Sequence, residues 1–142
     1  MGRSRGGLTT KVHAMVDANG LPIGLCLSEG QAYDGHSAYH MLDTLVPGAI
    51  LLADRAYDTD KLRAEIAARG AIANIPPMPQ RKQPPAFNTI LYRYRNLVER
   101  FFNKLKNFRA VATRYDKRDD NFLASVQLAA IRIWLRHNES VA

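Results

Sequence analysis

From Tyr92 to Lys106 the chain carries no glycine and no proline. Its apolar residues Leu97, Val98, Phe101, Phe102 and Leu105, with Phe108 just beyond, recur at three- and four-residue steps. That is the period of an amphipathic helix with one face against a core. A second line holds Tyr92, Arg95, Glu99 and Lys106, because steps of three, four and seven return to nearly the same azimuth. One acid thus sits among cations on a face the core does not use. Two readings are open: a solvated face on which an Arg95–Glu99 pair adds about 0.3 kcal/mol, or a polar functional site.

The charge distribution bears on that choice. The net charge is +7, but residues 81–118 hold eleven Lys and Arg against only Glu99 and Asp116. The rest of the chain is slightly acidic, so the whole excess lies in this helix and its flanks. Aromatic residues Tyr92, Tyr94, Phe101, Phe102, Phe108 and Tyr115 are interleaved with it. A polyanion is the natural partner, nucleic acid before membrane, since the cationic line also carries an acid. No apolar run approaches membrane-spanning length, and the basic N-terminus lacks the apolar core of a signal peptide. The single cysteine, Cys26, allows neither an internal disulfide nor a cysteine-based zinc site.

Along the chain, residues 2–11 are rich in Gly and Arg. A flexible backbone bearing Arg3, Arg5 and Lys11 can lie close to phosphates; an untidy terminus has the same composition. Lys11 to Val16 alternates, Asp17-Ala18-Asn19-Gly20 turns, and Leu21 to Leu27 returns, which predicts a hairpin. Asp34 is placed to cap a helix through Ala38, Met41, Leu42 and Leu45 that ends at Pro47. His36 and His40 lie four apart on that helix but lack a third ligand for zinc. Ala49-Ile50-Leu51-Leu52-Ala53 reads as a strand buried on both faces, and it delivers Asp54 at its C-terminal end, where open α/β sheets place their sites. Asp58, Thr59 and Asp60 are better helix caps than Asp54, which leaves Asp54 for function. A helix from there ends at Arg69-Gly70, and Ala71 to Ile75 is the next strand. Residues 76–90 carry five of the seven prolines and predict a loop that lies over the basic surface or moves. Asp119 or Asp120 caps a last helix that packs through Phe122, Leu123, Val126, Ala129, Ala130, Ile133 and Trp134. With 142 residues and no internal repeat, the expectation is one domain over 1–142.

The spacing Tyr-x2-Arg-x3-Glu-x6-Lys resembles the motif around the last catalytic Glu of DDE transposases, more narrowly of the group typified by insertion sequence five. Gly2-Arg3-Ser4-Arg5-Gly6-Gly7-Leu8-Thr9-Thr10-Lys11, Leu51-Leu52-Ala53-Asp54-Arg55-Ala56-Tyr57-Asp58 and Arg114-Tyr115-Asp116-Lys117 are similar to further segments of that group, in the same order. The resemblance implies an α/β, RNase H-like mixed sheet flanked by helices. It also implies metal-dependent cleavage and strand transfer at insertion-sequence ends, on two magnesium ions held by carboxylates. Asp54 would be the second acid and Glu99 the third. Tyr92, Arg95, Lys104 and Lys106, with Arg3, Arg5 and Lys11, would hold double-stranded DNA, both the terminal inverted repeats and the target.

The family's first acid lies on a strand upstream of the Gly-Arg-Ser-Arg-Gly-Gly block. The expectation is therefore an N-terminally truncated domain lacking its first, central strand, which an upstream reading-frame product or fusion would supply. Asp17 is the only strand-adjacent substitute, and its turn explains it without chemistry. Beside the transposase reading stand a non-catalytic DNA-binding remnant that competes with full-length enzyme and, third, a standalone nuclease using Asp17. A bacterial cytoplasmic, nucleoid-associated location and homo-oligomerisation complete the expectations.

Overall fold

Residues 10–16 alternate between a helix-facing and an opposite side, and that alternation builds the first sheet. In a computed structural model, which describes residues 2–4, 7–29, 39–113 and 118–141, strands β1 (Gly2–Ser4), β2 (Gly7–Val16) and β3 (Pro22–Glu29) form an antiparallel sheet in that order. The pairs Val12↔Leu27 and Ala14↔Leu25 put apolar side chains on one face. The turn is closed by Asp17, whose Oδ1 accepts the N–H groups of Asn19 at 2.9 Å and Leu21 at 3.0 Å. That is the structural role its turn predicts.

Helices α3 (Asn96–Leu105), α4 (Arg109–Thr113) and α5 (Asp119–Val141) belong to the same unit, Met1–Gly30 with Asn96–Ala142. Phe101 and Leu105 of α3 and Phe122, Val126, Ala129 and Ile133 of α5 are buried in one core with Leu21. Val12, Ala14, Val16, Leu25 and Leu27 pack against it from the sheet. Burying Phe101 completely contributes about 1.5–3 kcal/mol. Pro22 opens β3, where its missing N–H costs no ladder bond, and its carbonyl accepts the Trp134 indole N–H at 2.7 Å.

The other unit is Gln31–Arg95. A 3-10 helix, Tyr39–Thr44, leads to β4 (Ile50–Leu52), then a 3-10 turn at Arg55–Tyr57, α1 (Asp60–Ala68), β5 (Ile72–Asn74) and α2 (Thr89–Tyr92). β4 and β5 pair in parallel, with Ile50 opposite Ile72, as a β-α-β connection through α1 requires. Leu62 and Ile66 of α1 are fully buried with Leu42 and Ile75 in this unit. Thr59 caps α1 through Oγ1, which accepts Leu62 N–H at 3.1 Å. Gly70 ends it at φ +74°, a conformation that side chains with a Cβ rarely adopt.

The described residues form two small sheets, one of three strands and one of two. Two expectations need correction here. The β4 run is not buried on both faces: Ile50 is 45% exposed and its partner Ile72 59%, because only two strands pair here and α1 packs on one side. The central helix is not continuous from Tyr92 to Lys106. α2 stops at Tyr92, Arg93–Arg95 is a 3-10 turn, and α3 runs from Asn96 to Leu105. The mixed α/β character, the hairpin, the two strands on either side of α1 and the long C-terminal helix stand as read. The predicted cap Asp34, its neighbour His36 and the Arg114–Lys117 block lie outside the described residues.

Candidate active site

Asp54 follows β4 by two residues in extended backbone, φ −78° and ψ 173°. Its Oδ1 accepts the Ala56 N–H at 3.0 Å, so it caps the 3-10 turn Arg55–Tyr57. The sequence argument leaves Asp54 no structural part; the structure gives it one, in a turn too short to be read from periodicity. The half-buried carboxylate is thereby oriented through one oxygen. Among the described residues no second hydrogen-bond donor meets it. A carboxylate fixed at one oxygen and open at the other is a suitable oxygen ligand for a hard divalent cation.

Asp58, assigned to capping by sequence, does something larger. Its side chain is fully buried and takes four hydrogen bonds. Arg63 Nε donates to Oδ1 at 2.7 Å, Arg81 donates from Nε at 2.7 Å and Nη2 at 2.9 Å, and Met78 N–H donates to Oδ2 at 2.6 Å. Burial alone pushes this carboxyl up; the bonds from Arg81, Met78 and Arg63 outweigh it and hold the pKa at about 2. Arg81 is correspondingly raised by Asp58 and Asp60. The proline-rich segment therefore does not move freely, as the sequence allows. It is tied to Asp58 at Met78 and Arg81, and at its far end Asn74 and Asn88 exchange hydrogen bonds of 3.0 and 2.8 Å. No local pattern announces a bond between residues 58 and 81; an acid that follows the candidate ligand by four residues is the only hint.

The tied segment feeds α2. Asn88 caps it, accepting Leu91 N–H at 3.0 Å, and Tyr92 stands edge-on to Phe87 at 5.1 Å between ring centres. Arg95 lies 5.6 Å from the Tyr92 ring centre, a cation–π distance. The structure thus brings Tyr92 and Arg95 together, with Phe87 as a third member that sequence reading misses.

Glu99 is exposed in the first turn of α3, where the positive end of the helix dipole favours an acid. Lys104 and Lys106 are exposed on the same helical run, whose hydrogen bonding continues past Leu105 through Lys106 N–H to Phe102 O at 3.1 Å. The run from Tyr92 to Lys106 thus passes from α2 through a 3-10 turn into α3. Asp54 belongs to the unit 31–95 and Glu99 to the other. Lys11 is on β2 opposite Ser28, Arg3 is on β1, and Arg5 lies outside the described residues. Among the described residues no group of three or more His, Cys, Asp and Glu side chains converges. Each carboxylate by itself is a hard oxygen donor of the kind magnesium takes.

Comparison with known proteins places this geometry. The family described as the transposase DDE domain matches residues 2–134. A Brucella ovis protein named a candidate transposase for insertion sequence element IS6501 is 42% identical over 130 residues, covering 91% of this chain and all of the relative. A Burkholderia cepacia protein named a candidate transposase for insertion sequence element IS402 is 28% identical over 135 residues; the match covers 87% of this chain but 62% of that protein. No solved structure matches. No helix among the described residues is long and apolar enough to cross a membrane. With nearly its whole length matched, the chain belongs to the transposase DDE domain family.

Proposed function

We propose that this chain is the catalytic part of an insertion-sequence transposase, which cleaves and joins DNA at the element's ends with Asp54 and Glu99 as two of its acids. The observation that carries this reading is that both acids stand in the segments resembling the family's, within a chain that the family matches from residue 2 to residue 134. Tyr92, Arg95, Lys104 and Lys106 bind the DNA, with Arg3, Arg5 and Lys11 contributing from the N-terminal segment. Asp54 is pre-oriented by the Ala56 N–H, so it meets a cation without rearranging. Glu99 presents its carboxylate from a helix start. Magnesium, when bound by these acids, would supply charge neutralisation at the scissile phosphate and a more acidic nucleophile.

A third acid comes from a strand preceding Gly2. β1 pairs with β2 in the register Gly2↔Thr9 to Ser4↔Gly7. An N-terminal extension in that register runs antiparallel along β2 and completes a single RNase H-like sheet over one domain. The upstream sequence reaches the chain by fusion or as a separate reading-frame product. The assembled enzyme works as an oligomer on bacterial chromosomal DNA in the cytoplasm.

The test is cleavage of duplexes carrying the element's ends in magnesium, by the 142-residue chain alone and fused to the upstream frame. Cleavage by the fusion, lost in both Asp54→Asn and Glu99→Gln while duplex binding holds, is the expected result. A fusion that binds the ends but never cuts them would leave the competing remnant as the better reading. Cutting that survives Glu99→Gln would remove Glu99 from the site.

A further inference from the structure

The exposed surface of α3 holds more than the Glu99–Lys106 line. Asn96 and Asn103 are seven residues apart, so they fall within about 20° of one another around the helix, and Asn107 follows in the turn just past its end. Arg100 and Lys104 border them on one side, Glu99 and Lys106 on the other. All seven residues are exposed. Asn96, Arg100, Asn103, Lys104 and Asn107 make no side-chain hydrogen bond or ion pair with any described residue.

Asparagine inside a helix normally needs a reason, since its amide competes with the backbone and disfavours the helix. Elsewhere in this chain the reason is visible: Asn74 and Asn88 hold one another, and Asn88 also caps α2. Asn103, in the last turn of α3, has no such employment among the described residues. Its helix is anchored from the opposite side by Phe101 and Leu105, which makes it a rigid rod presenting a polar, cationic face. Such a rod fits the major groove of B-form DNA, where an asparagine amide can pair in two-pronged fashion with the N6 and N7 edge of adenine. Flanking cations at one-turn spacing suit the phosphates on either side.

We infer that α3 is a sequence-reading helix, in which Asn103, supported by Asn107, contacts adenine edges in the major groove while Arg100 and Lys104 hold the backbone. The inference rests on the transposase reading, which requires a DNA ligand, and adds to it the surface that distinguishes one DNA sequence from another. Replacement of Asn103 by alanine favours the helix, so a change in specificity in that variant cannot be ascribed to unfolding.

The experiment presents the 142-residue chain with synthetic duplexes of randomised core, selects the bound fraction, and sequences it. The selected duplexes are then titrated over a salt series. Wild type is expected to enrich a motif in which one A·T position loses about fivefold or more of its discrimination in Asn103→Ala. Total affinity for random duplex and the salt slope should stay as in wild type. Arg100→Ala and Lys104→Ala should each lower the slope by about one while leaving the motif intact. An unchanged motif in the Asn103→Ala, Asn107→Ala double variant overturns the inference. So does wild-type binding without any motif, although DNA binding then still supports the transposase reading. A chain that binds no duplex at all overturns both.

Discussion

Three arginines of residues 31–95, Arg63, Arg69 and Arg81, and the cations of α3 and its C-terminal turn have opposite surroundings. In the first region Arg63 and Arg81 close on Asp58, Arg81 also meets Asp60, and Arg69 meets Glu65 and Asp43. In the second, Arg100, Lys104 and Lys106 stand exposed without an acid partner among the described residues. Both regions contribute to the same basic net charge, yet only one spends that charge on its own fold. Cations neutralised internally stabilise; cations left open attract a polyanion and repel one another until it arrives. A charge total therefore says little about binding until each cation is assigned to one group or the other.

That contrast can be broken or sharpened by experiment. The largest effect is expected from Asp58→Ala, which strands two part-buried guanidinium groups and the Met78 N–H. Loss of one partner from such a buried cluster costs about 3–5 kcal/mol, measurable as a lower urea midpoint, with faster proteolysis at residues 76–88. A loss below about 1 kcal/mol would place the Asp58 cluster with ordinary surface pairs.

Next is the acid limb of stability. Asp58 has a folded pKa of about 2, below its unfolded value near 4. Its contribution is thus complete above pH 4 and lost as pH falls from 4 through 2, amounting to about 2 kcal/mol. Asp58→Asn should flatten that part of the stability–pH curve. A curve of unchanged shape would mean that other carboxylates set the acid transition.

Trp134→Phe removes the indole donor from the Pro22 carbonyl and is expected to cost about 1–2 kcal/mol, read from thermal unfolding of the sheet-and-helix unit. The smallest effect belongs to the other side of the contrast. Arg100→Ala and Lys104→Ala should change stability by less than about 0.5 kcal/mol, while weakening duplex binding at low salt. A stability loss comparable with that of Asp58→Ala would show that these cations also serve the fold.

How much of this was legible in the sequence differs by the range of the interaction. Alternation from Lys11 to Val16, the Asp17-to-Gly20 turn and the Phe122-to-Trp134 periodicity are local, and the elements formed where those patterns lie. Thr59 and Gly70 are likewise local signals for the ends of α1. The break at Arg93–Arg95 was not legible, since Arg and Tyr are compatible with helix and neither Gly nor Pro marks the spot. In the candidate site, spacing put Tyr92 and Arg95 on one helical line, and their contact is what that spacing implies. The fixing of Asp54 by Ala56 needed a three-residue turn that leaves no period. The Asp58–Arg81 link joins residues whose separation is set by a strand, a helix and a proline-rich loop, so nothing short of the fold could reveal it.

The discontinuity of the sheet-and-helix unit has a consequence for how the chain is made. Its hairpin leaves the ribosome well before the side chains that cover it, from Phe101 to Ile133. The Trp134–Pro22 bond closes a span of 112 residues. The intervening unit, Gln31–Arg95, is contiguous and can collapse as soon as it emerges, whereas Val12, Ala14, Leu25 and Leu27 wait uncovered until α3 and α5 follow. Folding dominated by such distant pairings is slow, and the waiting strand surface is open to wrong partners. Ribosome-bound chains stalled before residue 120 should accordingly hold a protease-resistant 31–95 segment and a hairpin that recruits chaperones, with the hairpin becoming protected only after α5 is complete.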